Sequence, residues 1–144
     1  MTTPDFSVHA ADWARDQPRL KSIRFDVFCV EQQVPEALEW DGLDADCLHA
    51  IAVDRDGNPV GCGRLLPDGH VGRMAVRPEW RGRGVGSALL VHLVALAHER
   101  GDATVILNAQ THAAPFYARH GFVVTGEPFE EAGIPHVVME RALR

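Results

Sequence analysis

The chain has 144 residues, 46% of them apolar and 24% charged, and 14 basic against 20 acidic side chains give a net charge of −6. That length suits a single domain, 1–144, built around one core. The acidic balance argues against nonspecific nucleic-acid binding, which needs a basic surface, and no apolar run reaches membrane-spanning length.

In chain order, FSVHA (6–10) reads as a short first strand. Asp16 followed by Pro18 marks a helix start, and Leu20, Ile23, Val27 and Val30 carry an apolar stripe to about residue 30. LHAIAVD (48–54) and PVGCGRLLP (59–67) flank the turn signal RDGN, and HVGRMAV (70–76) follows PDG, so three strands form an antiparallel meander. A helix is expected from about Gly84 to Arg100, closed by Gly101. ATVILNA (103–109) then returns as a strand parallel to 70–76, because a crossover helix joins parallel strands. AAPFYARH (113–120) is a short helix ended by Gly121, and FVVTG (122–126) and HVVMER (136–141) are the last strands. The order is mixed α+β rather than a doubly wound sheet.

Cys29, Cys47 and Cys62 contain no CxxC pair, and the histidines show no HExxH spacing, so neither a disulfide framework nor a metal site is expected. Free thiols fit a reducing cytoplasm, and MTTPDFSVHAADWARD lacks the basic start and apolar core of a secretory signal.

RPEWRGRGVGSALL (77–90) brings Arg81 and Arg83, together with Gly82, Gly84 and Gly86, to the start of the long helix. The glycine spacing fails both GxGxxG, since Ser87 stands where the last glycine should, and the lysine-bearing P-loop. The physics of an anion site remains. The first amides of a helix lack internal partners, the dipole favours negative charge there, and glycines leave room for a phosphate to approach. The two arginines would add charge-assisted donors and Ser87 a hydroxyl. The plainer alternative is a glycine-rich strand-to-helix turn with solvated arginines.

RMAVRPEWRGRGVGSALL (73–90) resembles the acetyl-CoA motif of the GNAT superfamily of N-acetyltransferases, whose Q/R-x-x-G-x-G/A pattern is met by Arg81, Gly84 and Gly86. LNAQTHAAPFYARHGF (107–122) is similar to the superfamily's second motif. Residues 25–52 resemble the N-terminal half of an ElaA-like bacterial branch. The resemblance spans about residues 20 to 140 in the right order. It implies a mostly antiparallel twisted sheet of about six to seven strands with one splayed parallel pair, flanked by about four helices. It also implies an acetyl-CoA site. Backbone groups of Met74, Ala75 and Val76 would pair with the pantetheine arm, and one amide there would serve as an oxyanion donor. The amides of Arg81, Gly82, Arg83, Gly84, Val85, Gly86 and Ser87 would take the pyrophosphate, with Asn108 and Phe116 on the opposite wall.

Acetyl transfer to an amine needs a base for the ammonium and an acid for the departing thiolate. Tyr117, the only tyrosine, matches the family's general acid, against the alternative of a core aromatic beside Phe116. The base is sought first in Glu31, then in His136 and His112, and a water chain could replace any of them. Glu31, Glu36, Glu39, Asp41, Asp44 and Asp46 occur between residues 31 and 46 with no lysine or arginine, forming either an acidic rim for a cationic substrate or a solvated loop. The expectation is an N-acetyltransferase acting by direct attack in a ternary complex on a small-molecule or peptide amine. A catalytically silent acyl-CoA-binding module is the rival, and a homodimer is a fair prior.

Overall fold

The computed structural model describes residues 5–143. In it, β1 (Phe6–Ala11) leads into α1 (Trp13–Arg24) and α2 (Glu36–Glu39). The meander follows as β2 (Leu48–Asp54), β3 (Pro59–Leu65) and β4 (His70–Val76), then α3 (Val85–Arg100), β5 (Thr104–Gln110) and α4 (Ala114–Ala118). The chain closes with β6 (Val123–Val124), β7 (Phe129–Glu131) and β8 (Ile134–Ala142). The sheet order is β1-β2-β3-β4-β5-β8-β6, with β7 pairing the start of β8. Among the described residues only β4 and β5 are parallel, as the crossover through α3 requires.

The first helix starts at Trp13 rather than at Asp16. Asp12 caps it, its carboxylate accepting from the Ala14 amide at 3.0 Å, while Asp16 turns back to accept from the Asp12 amide at 2.9 Å. This reciprocal arrangement satisfies two orphan amides at once. Past Arg24 the helix widens into a π-helical turn, Phe25–Glu31, in which the Gln32 amide reaches back to the Val27 carbonyl at 3.1 Å. The wider turn re-aims Val27, Glu31 and Gln32 toward the sheet opening described below. At the other end of the chain, the expected strand 122–126 pairs only at Val123 and Val124, β7 was not anticipated, and β8 runs longer at both ends than 136–141.

Helices cover both faces of the sheet. Leu89, Leu90, Leu93 and Ala97 of α3 pack on one face with Ala50, Leu65, Leu107 and Met139. Leu20, Ile23 and Val27 pack on the other with Ile51, Cys62 and Ala75. The two apolar stripes of α3 are thus used together, as a wide buried arc demands. Close approach depends on Gly63, where a Cβ would stand 2.7 Å from a Leu93 methyl.

Candidate active site

Strands β4 and β5 pair only at His70–Ile106 and Val71–Leu107 and then part. The cause is a bulge in β4. Gly72 faces Arg64 and Ala75 faces Cys62, so Arg73 and Met74 together oppose Gly63. Arg73 has a φ of +48°, a strained conformation for a non-glycine residue that must be held from outside. The holding group is its own guanidinium, which donates to the Leu38 and Glu39 carbonyls at 3.3 and 3.2 Å and to Asp41 at 3.2 Å. Beyond the bulge, the β4 edge that faces β5 has no strand partner among the described residues.

Two adjoining cavities, which share Gln32, Met74, Gln110, Ala113, Tyr117 and Ile134 in their linings, occupy this opening. The outer one, about 640 Å³, is lined by Met74, Ala75, Val76, Arg81, Gly86, Phe116, Tyr117, Glu31 and His112. The inner one, about 650 Å³, is lined by Met74, Asn108, Tyr117, His136 and the loop after the π-helical turn. Met74 and Tyr117 border both, so they stand where the two meet. At the outer end α3 begins at Gly84, in the left-handed conformation (φ +89°), with no side chain capping its first amides. A Cβ at Gly82 or Gly84 would meet no atom within 4 Å, and Gly86 lies against Phe116. The Val85 side chain is core, so only its amide can face a ligand. An acyl-CoA pyrophosphate fits this cradle of bare amides, and the open β4 edge fits the arm that would follow.

The flanking side chains are engaged differently from expectation. Arg81 grips both oxygens of Glu31 at 2.6 Å and donates to the Val76 carbonyl at 3.0 Å. Its charge holds the Glu31 carboxyl below the ordinary glutamate range. Arg83 stacks over Trp80 at 4.1 Å and reaches Asp5 at 3.5 Å. Ser87 Oγ meets His120 Nε2 at 3.0 Å.

The Tyr117 hydroxyl meets only the Met74 sulfur, at 4.0 Å, among the described residues. Burial pushes its pKa up to about 12, so the phenol keeps its proton at any working pH. His136 is 7% exposed and stacks on Phe129. Its Nδ1 lies 2.7 Å from the Ile134 carbonyl. A carbonyl can only accept, so Nδ1 carries the hydrogen and the lone pair of the neutral ring belongs to Nε2. Nε2 is 3.5 Å from Glu131. Gln32 and Gln110, joined at 3.0 Å, and Glu131 also line the site and were not anticipated. For Gln110 the available signal was its place two residues after Asn108, on the same strand face.

The acidic loop is solvated only in part: Glu31, Glu36, Asp41 and Asp46 are exposed. Glu39 and Asp44 are buried, and their partners are arginines from distant elements. Arg24 donates to Glu39 and Asp44, both at 2.7 Å. Arg64 donates to Asp44 at 2.9 Å and to both oxygens of Asp41. Trp40 covers Arg24 at 5.0 Å. Arg64 holds the Asp41 carboxyl well below the usual carboxylate range. A depressed carboxyl stabilises the fold fully above its unfolded value, near pH 4, and loses that contribution as pH falls toward the folded value. Asp41→Asn should therefore lower the melting temperature at pH 7 and flatten its fall between about pH 4 and pH 2. Parallel acid slopes in the two proteins would remove Asp41 from this role.

Residues 7–143 match the family model described as an acetyltransferase (GNAT) domain. YjcF of Bacillus subtilis, named an uncharacterized N-acetyltransferase, is 39% identical over 133 residues, covering 88% of this chain and 94% of its own. An acyl-CoA N-acyltransferase from Pseudomonas aeruginosa superposes with a TM-score of 0.85 at 34% identity, covering 95% of this chain and 99% of that one. Escherichia coli ElaA superposes at 0.83 with 30% identity, covering 94% and 99%. With the bulged β4, the parted parallel pair and the glycine loop at the head of α3, the chain belongs to the GNAT acetyltransferase family.

Proposed function

We propose that the protein transfers an acetyl group from acetyl-CoA to a primary amine by direct attack in a ternary complex. The observation that carries this reading is a run of adjoining cavities. It runs from the uncapped amides of α3, along the unpaired edge of β4, to Met74, Tyr117 and His136. The thioester supplies an activated acyl carbon. The amides from Arg81 to Ser87 hold the pyrophosphate, and the backbone of Met74, Ala75 and Val76 holds the arm, with an amide at the carbonyl oxygen. Asn108 and Phe116 bound the opposite wall.

His136 Nε2 takes the proton that the amine must lose as its nitrogen bonds to the acyl carbon. Tyr117 donates to the sulfur as the carbon–sulfur bond breaks. Glu31 is not assigned the base role, because a carboxylate with both oxygens on a guanidinium is a weak proton acceptor. It is assigned instead as the positioning residue of Arg81. The test is thiol release from acetyl-CoA with and without a panel of primary amines. Amine-dependent release with acetylated product supports the reading. Tight acetyl-CoA binding without any transfer would favour the silent acyl-CoA-binding module.

A further inference from the structure

The inner cavity has five carboxyl or guanidinium side chains in its lining, and their pairing restricts what it can receive. They are Glu39, Asp41, Arg64, Arg73 and Glu131. The first four are committed inside the wall. Arg64 is bound to Asp41 and Asp44, and Arg73 to Asp41 and Glu39, with Arg24 closing the set from behind. Three guanidiniums thus meet three carboxylates, and this wall offers a ligand no net charge.

Glu131 stands apart. It sits on the β7–β8 hairpin with its side chain 51% exposed, and its carboxylate stands 3.5 Å from His136 Nε2. The rest of the wall is mixed: Phe28, Val34, Leu38, Leu43, Leu66 and Ile134 supply an apolar side, and Gln32, His70, Asn108 and Gln110 are polar. Leu38 and Leu43 are 56% and 44% exposed, so their apolar surface is open to a ligand in the cavity. The cavity volume of about 650 Å³ falls within the range of small-molecule pockets.

We infer that the acceptor is a primary monoamine on an uncharged apolar body, its ammonium received by Glu131 beside His136 and its body by the Leu38–Leu43 wall. This rests on the acetyl-transfer reading and narrows its substrate. One carboxylate outside the arginine network matches one cation, so a second ammonium would lie against apolar or arginine-bearing wall. A substrate carboxylate would find every lining arginine already paired and would be repelled by Glu131.

The experiment compares 2-phenylethylamine, phenylalanine, spermidine and a short peptide with a free amino terminus as acceptors. The expected kcat/KM for 2-phenylethylamine exceeds each of the others by about tenfold or more, a one-charge difference. Glu131→Gln should raise the KM for 2-phenylethylamine about tenfold and leave kcat within about twofold. Acetyl-CoA affinity should not change, Glu131→Asp should recover most of the KM, and Glu127→Gln, outside the cavity, should behave as the parent. Preference for spermidine, phenylalanine or the peptide would overturn the assignment, and so would an unchanged KM in Glu131→Gln. If acetyl-CoA binds but 2-phenylethylamine is not acetylated, the assignment falls while the cofactor reading stands. If acetyl-CoA does not bind, the cofactor reading falls by its own measurement. The pocket is then judged by NMR line broadening of 2-phenylethylamine with the protein alone. Broadening lost in Glu131→Gln supports the assignment, and no broadening overturns it.

Discussion

Tyr117→Phe is expected to lower turnover by about 10²- to 10⁴-fold, the range for a lost general acid, while acetyl-CoA affinity stays within about twofold. The substitution removes one hydroxyl whose nearest polar neighbour is the Met74 sulfur at 4.0 Å, so packing of the ring against Phe116 and Phe122 survives. Burial pushes the phenol up to about 12. Deprotonation of Tyr117 therefore cannot shape the pH profile below about pH 11, and the parent and Tyr117→Phe should share the same basic limb. His136→Ala, which removes the assigned base, should lower turnover by about 10²- to 10⁴-fold. Full turnover in Tyr117→Phe would return Tyr117 to the role of a core aromatic.

Gly84→Asp is expected to weaken acetyl-CoA binding by on the order of a hundredfold or more, read by calorimetry. A carboxylate about 4 Å from a phosphate oxygen, near the protein surface, is opposed by about 4 kcal/mol. The position has φ +89° and no atom within 4 Å of a new Cβ, so the side chain meets backbone strain but no clash. Gly84→Asn carries the same strain and nearly the same shape without the charge, and should bind much better than Gly84→Asp. Equal affinity in the two variants would mean that the head of α3 does not hold the anion.

Much of this architecture was legible because it follows from periodicity and punctuation. The stripes on α3, its closing glycine, the RDGN and PDG turns and the crossover to β5 all appear as read. The glycine loop was legible because bare backbone at a helix start has few other uses. What stayed hidden depends on distant residues meeting. The acidic stretch looked solvated because its cations, Arg24, Arg64 and Arg73, come from α1, β3 and β4. The bulge at Arg73 has no local signal, since arginine is a poor residue for positive φ and is held there by loop carbonyls. Glu31 looked like a base because its partner lies fifty residues away. The hairpin carrying Glu131 was missed because β7 has only three residues, too few for alternation to register.

The most direct test of the acyl-CoA site is thermal unfolding of the parent protein with acetyl-CoA, CoA or adenosine. A ligand that binds the native cleft and not the unfolded chain stabilises by about 2.7 kcal/mol at a hundredfold excess over its dissociation constant. Acetyl-CoA and CoA should both raise the melting temperature by several degrees, and adenosine, which lacks the pyrophosphate and the arm, should raise it far less. No shift with millimolar acetyl-CoA, or an equal shift with adenosine, would contradict the assignment of the parted strands and the head of α3 as the acyl-CoA site.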